Sequence, residues 1–291
     1  MSNPVNRPLL GRNILITGVS RRRGIGFAIA RRLAEQGASL FIQHFSPHDL
    51  EQPTGGDNVA ELIAELRTAQ APTAGFGDLS LDLGVPSAAE ELIGAASTAL
   101  GRLDTLICNH ARSGGDGSIF EMTAEALDSH WSVNARSTLL LTKFFAEQFR
   151  PQELRHSQPG VKQQQLPQDE FDTARVIWMT SGQLDGPMPA EVAYAASKAA
   201  LAGATSTVAS ELLSRGILLN TVNPGPVNTG YMDPETTDRP LEALQQVLQK
   251  LPFGRFGAPD DPARLISWLI SDEARWVVGQ VLTSDGGFRL V

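Results

Sequence analysis

The sequence predicts an α/β fold, an open sheet whose strands are joined by helices. Three observations predict it. Short apolar runs alternate with helical stretches from residue 13 to residue 283, a glycine-rich loop opens the first helix, and no break in composition divides the 291 residues. One domain over 1–291 is therefore expected, long enough to bury a substantial core. The net charge of -8 and the pI near 5.2 argue against nucleic-acid or anionic-membrane partners. The single cysteine, Cys108, excludes an intrachain disulfide framework and fits a reducing compartment. No apolar run approaches the roughly 18 residues of a membrane helix. The opening MSNPVNRPLLGR lacks the apolar stretch of a signal peptide. A cytoplasmic protein is expected.

NILITG (13–18) reads as the first strand, ending in glycine. GIGFAIARRLAEQG (24–37) follows as a helix, because Ile25, Ala28, Ile29 and Leu33 recur near the helical period and Gly37 stops it. ASLFIQHF (38–45) is the second strand. Strand, glycine loop, helix and strand in succession present backbone N–H groups and a helix N-terminus to a pyrophosphate. Gly18, Gly24 and Gly26 are the glycines concerned, although a tight turn would use them without any ligand. Charge then favours one cofactor. An NAD site usually carries an acidic residue at the end of the second strand. Here Gln43, His44, Phe45 and Ser46 occupy that place, with no carboxylate before Asp49. Arg21, Arg22 and Arg23 crowd the glycine loop, which suits a 2′-phosphate, while a solvated charge run would look the same. NADP is favoured over NAD.

Residues 57–70 read as a helix and 77–83 as a third strand, with Asp82 near its end. A helix runs over 86–100, and LDTLICNHA (103–111) is a fourth strand entering a polar turn at Asn109. A long helix is expected over 123–149, with Asn134, a poor mid-helix residue, at its centre. PQELRHSQPGVKQQQLPQDEFD (151–172) has no apolar periodicity and reads as an exposed polar insertion. A strand over 174–180 leads to Ser181, and a helix reaching about residue 214 carries Tyr194 and Lys198. ILLNTVNPG (217–225) is a sixth strand. Residues 226–258, rich in Pro, Asp, Thr and Gly, hold one helix over 241–251 and read as a lid over the ligand. A helix over 260–271 and a strand over 280–283 close the chain.

Tyr194 and Lys198 stand four residues apart, so both leave one helical face. A tyrosine is ordinarily too weak an acid to exchange a proton at neutral pH, and a nearby ammonium draws it toward the working range. A hydroxyl at Ser181 can fix a substrate oxygen. The three suit proton transfer to or from an alcohol or ketone oxygen. A core tyrosine and a surface lysine on an ordinary helix would show the same spacing.

Together these residues resemble the short-chain dehydrogenase/reductase family over nearly the whole chain. TGVSRRRGIG (17–26) resembles its glycine motif, which adds Ser20 and Ile25 to the expected cofactor contacts. Asp82 with Leu83 resembles the adenine-pocket acid and its neighbour, and CNHA (108–111) the Asn-Asn-Ala-Gly turn, with Asn109, His110 and Ala111. Asn134, Ser181, Tyr194 and Lys198 match the catalytic tetrad in order and spacing. NPGPVNT (223–229) resembles the nicotinamide-side segment, with Pro224, Gly225, Val227 and Thr229, and SDGG (284–287) the C-terminal motif.

The resemblance implies a Rossmann-type doubly wound sheet of about seven parallel strands with helices on both faces. It also implies a nicotinamide cofactor, Lys198 on its ribose, and commonly a homotetramer. Three departures stand out. The glycine loop is about two residues longer than usual, as in the enoyl reductase branch, whose Tyr and Lys are typically farther apart. His110 and Ala111 replace the usual Ala-Gly, with space filling as the expected role of His110. The 151–172 insertion is also longer than usual.

The expected activity is NADP-dependent reduction of a ketone, such as a 3-oxoacyl thioester, to a secondary alcohol, with no metal. An NAD-dependent alcohol dehydrogenase is the alternative. A non-catalytic dinucleotide binder would not need the intact tetrad.

Overall fold

The computed structural model describes residues 7–149, 173–237 and 240–290. The insertion expected at 151–172 lies outside the described residues. In chain order the elements are β1 (Asn13–Ile16), α1 (Ile25–Glu35), β2 (Ser39–His44), a short α2 (Ser46–Leu50), α3 (Val59–Ala69), β3 (Phe76–Ser80) and α4 (Ala88–Leu100). Next come β4 (Thr105–Cys108), α5 (Ala124–His130), a π turn (Trp131–Arg136), α6 (Ser137–Gln148) and β5 (Ala174–Met179). The chain ends with α7 (Val192–Leu213), β6 (Ile217–Asn223), α8 (Leu241–Lys250), α9 (Asp260–Leu269) and β7 (Val281–Thr283).

The seven strands form one sheet in the order β3-β2-β1-β4-β5-β6-β7. Every neighbouring pair is parallel. This is the doubly wound α/β architecture that the sequence predicts. Parallel strands joined through helices are covered on both faces, so their sequences read as continuous apolar runs. ARVIWM in β5 and ILLNTVN in β6 are buried at every position.

Alternate strand residues feed two cores. Ile14 and Ile16 of β1 pack with Ile29 and Leu33 of α1, Leu62 and Leu66 of α3 and Ile266 of α9. Leu15 points the other way, to Leu92 of α4, Phe145 of α6, and Leu201 and Leu212 of α7. Two helical layers thus hold the sheet rigid, and its carboxyl edge is left to the loops.

The expected helix over 123–149 is instead split by the π turn. Hydroxyl groups explain the wider turn. Ser132 and Ser137 donate from Oγ to the carbonyls of Ser129 (2.9 Å) and Val133 (2.5 Å), and Thr138 donates to the carbonyl of Asn134 (2.9 Å). Such back-bonding competes with the helical ladder. Strand ends also fall short of the apolar runs. β3 stops at Ser80, so Asp82 lies in the following loop.

Residues 228–256 form an excursion that closes on itself. Val227 bridges Gly257, the Asn228 N–H donates to Gly257 O at 2.9 Å, and the Gly257 N–H donates to Pro226 O at 2.9 Å. Within this excursion α8 buries only Leu244.

Candidate active site

The residues singled out in the sequence gather at the carboxyl ends of the strands, where ligands enter open α/β sheets. The glycine loop, with Gly18, Ser20, Arg21, Arg22, Arg23, Gly24, Ile25 and Gly26, joins β1 to α1. His44 ends β2, Asp82 and Leu83 follow β3, and Asn109, His110 and Ala111 follow β4. Ser181 lies just beyond β5, and Pro224, Gly225, Val227 and Thr229 lie beyond β6.

The loop is built for close approach. Gly18 has φ +73°, and a Cβ there would meet the His110 Cα at 2.7 Å. A Cβ on Gly26 would lie 2.3 Å from Gly18 O and 2.7 Å from Asn109 Nδ2. Asn109 fastens the turn by donating from Nδ2 to Thr17 O (3.2 Å) and Gly18 O (3.1 Å). Gln43 accepts from the Gly18 N–H at 2.9 Å. The N-terminus of α1 has no side-chain cap and no acidic residue in its first turn. An uncapped helix N-terminus beside bare glycines fits a diphosphate.

All three arginines are ion-paired, Arg21 half-buried and Arg23 largely exposed. Arg21 lies 3.5 Å from Asp49 and donates to Thr54 Oγ1 (2.8 Å) and Thr229 O (3.2 Å). Arg22 meets Asp57 (3.6 Å), Glu61 (3.2 Å) and Glu65 (3.3 Å), and Arg23 meets Asp233 (2.6 Å). Arg21 and Arg23 thereby tie the glycine loop to the base of the 228–256 excursion. His44 is buried with its Nε2 3.3 Å from Asp78. Asp82 holds its own turn, accepting from the Gly84 N–H at 2.8 Å. Arg22, Arg23, Arg31, Arg32 and Arg255 also line a cavity of about 950 Å³ that touches none of Ser181, Tyr194 and Lys198.

Ser181, Tyr194 and Lys198 come together. The Ser181 hydroxyl faces the Tyr194 phenol closely enough to lower its pKa, and Lys198 Nζ lies 5.8 Å from the tyrosine ring centre. Lys198 is buried and donates to Met179 O at 3.1 Å. Burial pushes the Tyr194 phenol above its ordinary value, the Ser181 hydroxyl pulls it back, and Glu191 pushes it up. Burial also pushes Lys198 down, to about 8. Both groups pay for desolvation of their charged forms, which drives their acidities apart and leaves Lys198 the stronger acid of the two.

Asn134 is fully buried, and its amide hydrogen bonds go to Arg112 and Ser197 rather than to Tyr194 or Lys198. Its Oδ1 accepts from the Arg112 N–H at 2.7 Å, and its Nδ2 donates to Arg112 O (3.2 Å) and Ser197 Oγ (2.9 Å). His110 is buried as a spacer and staple. Its Nε2 lies 3.0 Å from Val133 O and 2.6 Å from Ser137 Oγ, and its Nδ1 lies 2.6 Å from Thr17 Oγ1. A carbonyl only accepts, so Nε2 carries a proton. Burial and then Lys198 hold its pKa down, to about 3.

Two residues at the site carry no signal in the sequence. Ser197 donates to Tyr194 O at 2.8 Å. Asp116 accepts from the Tyr194 N–H at 2.7 Å and the Ala193 N–H at 3.0 Å. Asp116 stands in a Gly-Asp-Gly turn, and such turns seldom signal a helix cap 78 residues away.

A family model described as Enoyl-(Acyl carrier protein) reductase matches residues 18–289. The chain is 36% identical over 274 residues to "Uncharacterized oxidoreductase YjdA" of Bacillus subtilis (strain 168), covering 94% of this chain and 95% of that one. Among solved structures, a short chain dehydrogenase from Burkholderia cenocepacia J2315 in complex with NADP is similar at 26% identity and TM-score 0.76, covering 97% of this chain and 99% of that one. The angucycline C-6 ketoreductase LanV with bound NADP is similar at 26% identity and TM-score 0.76, covering 98% of each chain.

Proposed function

The chain belongs to the short-chain dehydrogenase/reductase family and is an NAD(P)-dependent oxidoreductase, and from that premise we propose that it reduces a ketone to a secondary alcohol with NADPH. The observation that carries the reading is the meeting of Ser181 and Tyr194 with the buried Lys198 at the carboxyl edge of the sheet. When bound, the reduced nicotinamide supplies the hydride. Gly18, Gly24 and Gly26 would admit the diphosphate to the first turn of α1, and Lys198 would hold the ribose. Ser181 positions the carbonyl oxygen through its hydroxyl. Tyr194 gives that oxygen its proton. The Lys198 ammonium, 5.8 Å from the phenol ring centre, favours the phenolate that remains. Asn134 commits its amide to Arg112 and Ser197, so a water-linked proton relay past it would have to use its main-chain carbonyl.

Support for NADPH comes from the missing carboxylate at the end of β2, from Arg21 and Arg22 in the glycine loop, and from the two NADP-bound neighbours. The ion pairs favour the second reading, an NAD-dependent alcohol dehydrogenase, because a 2′-phosphate must compete with Asp57, Glu61 and Glu65 for Arg22. The description of the matching family model suggests enoyl reduction. The four-residue spacing of Tyr194 and Lys198 supports carbonyl chemistry instead. A 3-oxoacyl thioester or similar small ketone is the proposed substrate class, with the 226–258 segment as its lid. We also propose a single domain that self-associates, for which the exposed Trp131, Trp268 and Trp276 offer apolar surface.

The test is a panel of carbonyl compounds followed by NADPH absorbance, with parallel NADPH and NADH titrations. Tyr194→Phe is expected to lose at least about 99% of turnover while cofactor affinity stays within twofold of the original. Retained turnover would remove Tyr194 from the reaction. Clearly tighter NADH binding would give the site to the alcohol dehydrogenase reading.

A further inference from the structure

We propose that Asp116 is a positioning residue for Tyr194, a carboxylate delivered from the 112–117 loop that sets where the phenol sits and how strongly it holds its proton. The inference rests on Tyr194 being the proton donor of the reading above. A helix leaves its first N–H groups without partners, and α7 receives no side-chain cap from its own N-cap residue, Glu191. Asp116 takes over that task from elsewhere in the chain. Its Oδ2 accepts from the Tyr194 N–H at 2.7 Å, and its Oδ1 accepts from Ala193 (3.0 Å) and from its neighbour Gly117 (2.8 Å).

The main-chain groups of Tyr194 are therefore held at both ends by side chains. Asp116 takes the N–H, and Ser197 donates to the carbonyl at 2.8 Å while accepting from Asn134. The loop that carries Asp116 is itself fixed, since Asn134 bonds both the N–H and the carbonyl of Arg112. Asn134, Ser197, Arg112 and Asp116 form one closed frame around the first turn of α7. An ordinary N-cap holds a helix end; this frame holds the residue that carries the reactive phenol.

Behind the frame stands His130, fully buried, with Nδ1 2.9 Å from Ala126 O and Nε2 4.0 Å from Asp116 Oδ2. Because a carbonyl only accepts, Nδ1 carries a proton, and Nε2 is a buried nitrogen without a hydrogen bond. The side chain of Asp116 is only 6% exposed, so little water screens its charge from the tyrosine whose N–H it accepts. The charged and titratable groups that face Tyr194 are Lys198 at its ring, Glu191, and this carboxylate at its N–H, with His130 on the far side of the carboxylate. A buried carboxylate on the main chain of the tyrosine disfavours the phenolate, so Asp116 opposes Lys198 and keeps Tyr194 protonated and able to donate.

The test compares the full chain with Asp116→Asn and Asp116→Ser, both of which keep an oxygen acceptor for the helix N–H groups. Steady-state reduction of a carbonyl compound accepted by the unaltered chain gives kcat and KM. Phenolate absorbance gives the Tyr194 titration without any turnover, because the chain has two tyrosines and Tyr194→Phe supplies the blank. We expect kcat to fall about tenfold or more, with KM for the carbonyl and NADPH affinity within about threefold. We expect the Tyr194 midpoint to move down by about half a pH unit or more, since a negative charge is removed. An unmoved midpoint, or kcat within about threefold of the original, overturns the proposal. A loss of thermal stability alone, with the midpoint unmoved, makes Asp116 a cap and nothing further. Should no carbonyl compound be turned over by the unaltered chain, the functional reading fails, and the phenol titration still decides the role of Asp116. Should neither variant fold, Asp116→Glu, which keeps the charge and moves it by one methylene, is expected to hold the midpoint while lowering kcat; a displaced midpoint there overturns the proposal.

Discussion

At the scale of the residue, burial decides which groups can carry charge. His110 is the plainest case, a neutral ring wedged between Thr17, Val133 and Ser137. Its pKa lies near 3 when folded and near the ordinary 6.5 when unfolded. The sign follows. Below about pH 6.5 the unfolded chain takes up a proton that the folded chain refuses, so stability falls as pH falls, until the folded ring also protonates near pH 3. Between about pH 6.5 and pH 4 this group alone should cost on the order of 3 kcal/mol. Urea unfolding at these two pH values checks it. His110→Gln is expected to be less stable at neutral pH and distinctly less sensitive to acid, and an unchanged acid slope would assign the effect to other groups. Residues set by motif position were legible from sequence: Asn109, Ser181, Tyr194 and Lys198 all come to the carboxyl edge of the sheet. Asp116 and Ser197 were not, because bonds to the backbone of a distant helix leave no periodicity or spacing to read. The pairing of Arg22 was equally hidden, since its three carboxylates lie 35 to 43 residues away.

At the scale of the element, the glycine loop works by the absence of atoms. Gly26 has no need of an unusual backbone angle; what it lacks is room, with Gly18 O at 2.3 Å from where a Cβ would stand. Gly26→Ala must therefore push α1 away from β1. It is expected to weaken cofactor binding about tenfold or more and to cost about 1–3 kcal/mol of stability. Gly24→Ala is the milder comparison, because its Cβ would meet nothing closer than Arg21 O at 3.0 Å. Equal cofactor affinity in the two variants would remove the steric account. Strands were legible as apolar runs, yet their ends were read too long, because Thr17 and Leu83 remain buried after the ladder has stopped. The π turn was not legible. One residue is about 100° of helical rotation, so α5 and α6 present different faces, and a single apolar stripe cannot be drawn through both. Only the run of hydroxyls at Ser129, Ser132, Ser137 and Thr138 hints at it.

At the scale of the whole molecule, the chain alternates strand and helix so regularly that the α/β class follows from sequence. The strand order does not, because apolar runs do not state their neighbours. The exposed faces set a further expectation. Trp276 is 98% exposed and Trp268 is 39% exposed, a large apolar area for a chain that stands alone. Sedimentation velocity is expected to show an oligomer, and Trp276→Asp to shift it toward smaller species; a monomer in the unaltered chain would refute the proposed self-association. The paired neck at Val227 and Gly257 bears on how such a protein acquires a new substrate. Both ends of the 228–256 excursion meet at one point, so its length can change at little entropic cost to the sheet. A segment from a relative can be spliced in there as a cassette, provided the graft restores acceptors for Arg21 and Arg23 at the places of Thr229 and Asp233. On the proposed reading of this excursion as the lid, substrate choice becomes a portable property, inherited by segment exchange while the chemistry beneath it stays in place.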